Sequence, residues 1–314
     1  MAGSSTELSS PEATTDAPSA PGTSVTVVGG GIAGITAALK LGKLGYKVKL
    51  IEARPFLGGN LSAHWDEKRE ENERVYHDVY PHMFSTFYTN FWELLEKDLA
   101  TVGMIKEEHF EPRNLMKMLN ADGGYDTITD GAPIKNTLLN LLRGPQPAAD
   151  MIVWAYSLLD LMSQHGSRDR LLDQFSVNGF MRSKAYATER AARMHEFALL
   201  IIWSAHSYDI SAAPYADFFR LALRKGPPLT WVMKGDLHNH LIKFVLAELE
   251  RLGVDVVTNT QVTRIQVKND RVDYLRLQPA KFDRVTLKPH FLERTKQKRL
   301  RTFCWQSVLA HSGI

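Results

Sequence analysis

Three glycines at fixed spacing sit between two short β-branched runs in residues 24–52, and this arrangement leaves the chain few ways to fold. Residues 24–28 are apolar and β-branched, the pattern of a buried strand. Between residues 32 and 44 the apolar positions Ile32, Ile35, Ala38, Leu39 and Leu44 recur at helical spacing, and Gly45 stands where a glycine ends a helix. Residues 47–51 read as a second strand, closed by Glu52. Strand, helix and strand within about 30 residues make one β-α-β unit.

Inside that unit Gly29, Gly31 and Gly34 have the spacing G-x-G-x-x-G, and each has a mechanical reason. Gly29 permits the tight turn out of the strand. Gly31 lacks a side chain, so a pyrophosphate can approach the backbone. Gly34 lets the helix pack closely on the sheet. The leading amides of the helix, at Ile32 and Ala33, then face the phosphates with a partial positive charge. Glu52 follows Gly34 by 18 residues, where an acid accepts hydrogen bonds from a ribose. A carboxylate there favours a free 2′-hydroxyl and repels a 2′-phosphate, which selects NAD or FAD over NADP.

The stretch Glu52-Ala53-Arg54-Pro55-Phe56-Leu57-Gly58-Gly59-Asn60 separates those two cofactors. A plain NAD domain has no use for an arginine and a glycine pair here. An extended cofactor could use Arg54 to neutralise phosphate or cover the ribose, and Gly58-Gly59 to approach the pyrophosphate from its other side.

Residues 27–60 resemble the amino terminus of the flavin-dependent amine oxidase and phytoene desaturase superfamily. The resemblance implies FAD, an α/β fold with a Rossmann-like FAD-binding domain, and a mostly helical cap or substrate region. It makes Gly29, Gly31, Gly34, Glu52, Arg54, Gly58 and Gly59 cofactor contacts, with Ile32, Ala33 and Ala53 beside them. Asn60 departs from the arginine that many members carry. Two looser matches follow. Pro81-His82 resembles a G-P-H segment, with Tyr80 in place of the glycine. Val262 matches a valine whose backbone meets the adenine. The family reading also requires more chain beyond residue 279, so a C-terminal truncation is expected.

The remaining pattern sets the expected domains: a disordered leader over 1–23, the FAD-binding domain over 24–84 and 230–279, the helical cap over 85–229, and a basic, poorly ordered tail over 280–314. In the cap, helices are expected over 91–99, 134–142, 149–163, 176–182, 188–204 and 214–224, and a strand over 114–118 before a turn at 121–124. In the second FAD segment Asp236 caps a helix over 237–252 that Gly253 ends, with strands over 254–257 and 261–267 after it.

Single chemical groups in the cap say less. His195 and His206 lie among aromatics, as packing histidines do. His238 and His240 are two apart and face away from each other on a helix, which argues against a metal site. Trp92, Trp154, Trp203 and Trp231 fit either an apolar pocket or plain core. No residue stands out as catalytic, since a flavin carries the redox chemistry while protein groups bind, orient and exclude water.

Composition narrows the class further. A net charge of +3 argues against nucleic-acid binding by the chain as a whole. One cysteine, Cys304, excludes an intrachain disulfide and a thiolate metal cluster. Residues 1–23 hold neither the apolar run nor the basic start of a signal peptide. A cytoplasmic protein is expected, with peripheral membrane contact through the basic tail left open. The leading expectation is an FAD-dependent oxidoreductase that desaturates or oxidises an apolar, carotenoid-precursor-like substrate. An amine oxidase of the same superfamily and a shortened, non-catalytic dinucleotide-binding protein are the alternatives. An NAD-dependent dehydrogenase ranks third, because Arg54 and Gly58-Gly59 argue against it.

Overall fold

The computed structural model describes residues 22–65, 70, 73, 75–113, 115–119, 125–129, 133–163, 171–269, 271–283, 288–291, 296–299 and 303–304. In chain order the elements begin β1 (Ser24–Val28), α1 (Ile32–Lys43), β2 (Lys47–Ile51), β3 (Ala63–Trp65), β4 (Tyr76–Asp78), β5 (Phe84–Ser85), α2 (Thr89–Glu93) and α3 (Lys106–His109). They continue with β6 (Phe110–Arg113), β7 (Leu115–Leu119), β8 (Tyr125–Thr129), α4 (Pro133–Arg143), α5 (Ala148–Ser163), α6 (Val177–Arg182), α7 (Glu189–Trp203), α8 (Ala212–Lys225) and β9 (Thr230–Met233). The last are α9 (Lys243–Arg251), β10 (Asp255–Val257), β11 (Thr260–Lys268), β12 (Arg271–Asp283), β13 (Lys288–Phe291), β14 (Lys296–Arg299) and β15 (Phe303–Cys304). The described residues form two compact units, 22–59 with those from 246 onward, and those from 60 to 245.

The first unit is built on a parallel sheet in the order β10-β2-β1-β15. Central parallel strands are buried on both faces, so they read as apolar runs rather than alternations. Val25 and Val27 of β1 and Val48, Leu50 and Ile51 of β2 are all buried. Helix α1 lays Ile35, Ala38 and Leu39 into this core, all at 0% exposure. Full burial of a side chain such as Ile35 or Leu39 stabilises the fold by roughly 1.5–3 kcal/mol. The helix stops at Gly45, whose φ of +83° is a left-handed conformation that glycine adopts without strain. In α9 the Glu248 carboxylate is fully buried and is gripped by Arg251 through two hydrogen bonds of 2.7 Å, with Lys43 of α1 at 3.9 Å. An antiparallel sheet follows, with β12 paired to β11, β13 and β14.

The second unit combines small antiparallel sheets with a helical core. The sheets are β3–β4, β5-β9-β6 and β7–β8. Around the middle one Phe84, Phe91, Trp92 and Phe110 pack edge to face and stacked. The Lys106 ammonium lies 4.4 Å from the Trp92 ring and 4.2 Å from the Trp231 ring. Helices α5 to α8 enclose Leu158, Leu161, Val177, Phe180, Leu199 and Tyr215. Three of these helices or their neighbours start on a side-chain cap: Ser176 accepts from Gly179 N–H, Thr188 from Ala191 N–H and Ser211 from Ala213 N–H. Such a cap stabilises by about 1 kcal/mol. Among the described residues no helix is long and apolar enough to cross a membrane.

Three differences from the sequence reading have physical causes. The unit boundary falls after Gly59 and before Leu246, not at 84 and 230. The cause is β9, which is hydrogen-bonded between β5 and β6 and so belongs with the middle of the chain. The cap expected to be mostly helical therefore also holds strands. The segment 280–314, expected as a tail, contributes strands at residues 280–283, 288–291, 296–299 and 303–304, because β12 runs through residue 279 without a break. The expected leader and the turn at 121–124 lie outside the described residues, except Gly22 and Thr23.

Candidate dinucleotide-binding site

Three backbone segments of the first unit converge at the N-terminus of α1. Gly29 leaves β1 at φ +96° and donates to Ile51 O at 2.7 Å, so the turn out of the strand needs a glycine. The loop after β2 folds back on this turn. Gly58 donates to Gly30 O at 2.7 Å and forms a parallel bridge with Gly31. Gly58 and Gly59 reach this position at φ +110° and +64°. Arg54 holds the loop closed, its Nη1 donating to Gly59 O at 3.0 Å.

Glu52 sits at the tip of β2, buried, and both of its oxygens accept backbone amides. Oε2 takes Gly30 N–H at 2.6 Å and Oε1 takes Arg54 N–H at 2.8 Å. Its own backbone is tied to the next strands, with Glu52 N–H on Val257 O at 2.8 Å and Thr260 N–H on Glu52 O at 2.9 Å. Asn259 N–H on Arg54 O at 3.1 Å adds a third tie. This network sets the start of β11, where Val262 stands opposite Leu277 next to a bulge.

The glycines differ in what surrounds them. A Cβ on Gly31 would meet nothing within 4 Å, so the space beside the start of α1 is open. A Cβ on Gly30 would lie 2.5 Å from Leu57 Cδ2 and 3.1 Å from Glu52 Oε2. The first helical bond is Ile35 N–H to Gly31 O at 2.9 Å, which leaves the amides of Ile32 and Ala33 ahead of it. Helix α1 carries no side-chain cap and no acid in its first turn, so its positive end is not neutralised from within the helix. Gly34 is buried in that turn. Open space, leading amides and an acid at the strand tip suit a dinucleotide: the amides and Gly31 would hold the pyrophosphate, and Glu52 the ribose.

The structure thus brings Gly29, Gly31, Ile32, Ala33, Gly34, Glu52, Ala53, Arg54, Gly58 and Gly59 together. Val262 is in the same unit. Asn60, Pro81 and His82 belong to the second unit, with Asn60 and Pro81 exposed. His82 packs on Phe84 at 6.2 Å between ring centroids, and its Nδ1 is buried without a hydrogen-bond partner. Gly30 and Leu57 were missed by the sequence reading. The only signal was the third consecutive glycine, which the motif itself does not demand.

Among the described residues the other histidines meet only in pairs. His238 stacks on Tyr76 at 4.0 Å, while His240 Nδ1 faces His109 Nδ1 at 3.0 Å. Burial, and then the neighbouring His240, push the His109 pKa below its ordinary value. Among the described residues no three His, Cys, Asp or Glu side chains are placed to hold a metal ion.

Comparison with known proteins agrees with this geometry. A family model described as an NAD(P)-binding Rossmann-like domain matches residues 27–97. The chain is 24% identical over 277 residues to 4,4'-diaponeurosporene oxygenase of Staphylococcus aureus, covering 82% of this chain and 53% of that protein. It therefore spans about half the length of the curated relatives it matches. Among solved structures, an oxidoreductase from Methanosarcina mazei aligns with a TM-score of 0.56 at 14% identity, over 86% of this chain and 57% of that one. A putrescine oxidase variant aligns at 0.54 with 19% identity, over 82% and 55%. Cyclohexylamine oxidase from Brevibacterium oxydans aligns at 0.50 with 18% identity, over 89% and 57%. Residues 27–97 thus form an NAD(P)-binding Rossmann-like domain, and the chain shares its fold with oxidoreductases of known structure.

Proposed function

We propose that the protein binds FAD at the N-terminus of α1 and oxidises or desaturates an apolar, carotenoid-precursor-like substrate. The observation that carries this reading is the contrast between Gly31, beside open space, and Gly30, wedged against Leu57 and Glu52. A glycine turn with no ligand to admit has no need to keep Gly31 clear. When bound, FAD supplies the acceptor for the two electrons and the proton equivalent removed from a C–H bond. The chain's own residues bind and orient. Gly31, Ile32 and Ala33 take the pyrophosphate, Glu52 the ribose, and Val262 the adenine through its backbone. Arg54 keeps Gly58-Gly59 against the loop. The assignment of Asn60, Pro81 and His82 to the cofactor rests on sequence resemblance alone.

The apolar substrate rests on the similarity to an enzyme named for 4,4'-diaponeurosporene. Such a substrate partitions into lipid, so the reading places the protein in peripheral contact with a membrane and assigns it no nucleic acid. Amine oxidation is the second reading, on the strength of fold alone, since putrescine and cyclohexylamine oxidases share it.

An absorbance spectrum of the purified chain tests the cofactor. Flavin bands, lost in Gly31→Val, are expected, and a colourless protein that takes up no added FAD overturns the reading. Anaerobic bleaching by an apolar polyene but not by amines supports the first substrate class. The reverse supports the second. Bound flavin that no donor reduces points to a non-catalytic binding protein.

A further inference from the structure

Inside the helical core of the second unit, polar side chains from three helices are strung together. Ser157 of α5, His195 of α7 and Tyr215 of α8 are each no more than 1% exposed. His195 Nε2 lies 2.7 Å from Ser157 Oγ, and its Nδ1 lies 3.0 Å from Tyr215 Oη. Ser157 also donates to Trp154 O at 2.6 Å. A serine hydroxyl has a single proton. That proton is committed to the Trp154 carbonyl, so Ser157 can only accept from the imidazole. Nε2 therefore carries the ring proton, and Nδ1 is bare and accepts from the Tyr215 hydroxyl. In this neutral state every donor has an acceptor.

We propose that Ser157, His195 and Tyr215 form an acid-release latch, which holds α5, α7 and α8 together while His195 is neutral and opens them when Nδ1 is protonated. A proton on Nδ1 would face the Tyr215 O–H, donor against donor. Tyr215 would then need another acceptor, and it sits in a cluster of Leu158, Leu161, Leu172, Val177, Phe180 and Leu199. Leaving a buried hydroxyl unpaired there is costly, so the core has to open to water.

Among the described residues no charged group softens that cost. From α5 the imidazole meets Ser157 and the Trp154 ring, 6.2 Å away, and from α8 it meets Tyr215. Arg224 and Lys225 stand in the last turn of α8, Glu189 pairs with Arg193, and the other charges on these helices have partners of their own. Asp150 binds Thr188 and Arg190, and Asp160 binds Lys184 and Tyr186. Glu196 binds His206 and Ser207, Asp217 binds Arg220, and on α6 Arg182 binds Asn178. Burial alone holds the imidazole pKa down at about 4, against 6.5 in the opened chain, and the same burial pushes the Tyr215 phenol up so that it stays a donor. The opened state thus takes up a proton below pH 6.5 that the closed state refuses until about pH 4. The closed-to-open ratio falls about tenfold for each pH unit through that window.

The full chain with ¹⁵N-labelled histidine tests this. At pH 7.5, long-range ¹H–¹⁵N spectra are expected to put the His195 proton on Nε2. Between pH 6.5 and 4, near-UV circular dichroism should be lost and a hydrophobic dye bound, with far-UV signal retained. His195→Gln keeps a donor and an acceptor but does not titrate, and should stay closed where wild type opens. A ring proton on Nδ1, near-UV signal that persists to pH 4, or identical opening of His195→Gln and wild type would each overturn the latch. Should His195→Gln not fold, Tyr215→Phe decides: removing the opposing donor should let His195 titrate at higher pH than in wild type, and an unchanged titration overturns the proposal.

Discussion

Glu52 accepts the backbone N–H of Gly30 at 2.6 Å, so the acid expected to hold a ribose also braces the glycine loop that would hold the phosphates. One side chain would then serve both halves of the site. Replacing it with Gln puts an amide where a carboxylate took two backbone donors. We expect Glu52→Gln to lower stability by roughly 1.5–3 kcal/mol, the worth of a hydrogen bond to a charged group. Thermal denaturation without ligand measures that loss, and flavin content of the same preparation measures the effect on binding.

Gly30 and Gly31 should respond in opposite ways to a single methyl group. Gly30→Ala drives a Cβ to 2.5 Å from Leu57 and should cost about 1–3 kcal/mol through overpacking. Gly31→Ala meets open space at an ordinary backbone conformation, φ −73°, and should leave the melting temperature of the ligand-free chain nearly unchanged. Its deficit should be in flavin retention. Equal melting losses in the two variants would contradict the open space beside Gly31.

Glu248 is fully buried, while its partner Arg251 is half exposed. Glu248→Ala removes the anchor between α9 and Lys43 of α1 and leaves a cavity. The expected cost is about 2–4 kcal/mol, held near the low end of the range for a broken buried pair because Arg251 can turn to solvent. Chemical denaturation with an unchanged m-value checks it.

Glu196 is predicted to titrate below the ordinary glutamate range, since it accepts from Ser207 and faces His206. A depressed carboxyl contributes stability above its unfolded pKa and loses it as pH falls through the folded value. Carbon NMR of the side chain should show the low titration, and His206→Ala should raise it.

The β-α-β unit was legible because its information is local. Apolar spacing, a terminal glycine and an acid at a strand tip lie within 30 or so residues and act on one another directly. The boundary at Gly59 was not, because it depends on β9 finding β5 and β6, and Phe84 pairs with Trp231 across most of the second unit. No local pattern marks a two-residue strand such as β5. Gly30 was invisible for a related reason: the Leu57 side chain that excludes a methyl group comes from a loop 27 residues away. The histidine pair at 238 and 240 was read as divergent from spacing alone, and the rings do diverge, onto Tyr76 and His109.

The parallel pairing of β15 with β1 has a consequence for how the chain is made. Thr26 meets Phe303, a residue translated about 280 positions later. One flank of β1 thus stays bare on the ribosome until residue 303 has emerged. Pairings this distant close slowly, because the loop entropy is lost before any contact repays it. The glycine turn of the first unit is therefore expected to be in place long before the sheet beneath it is complete.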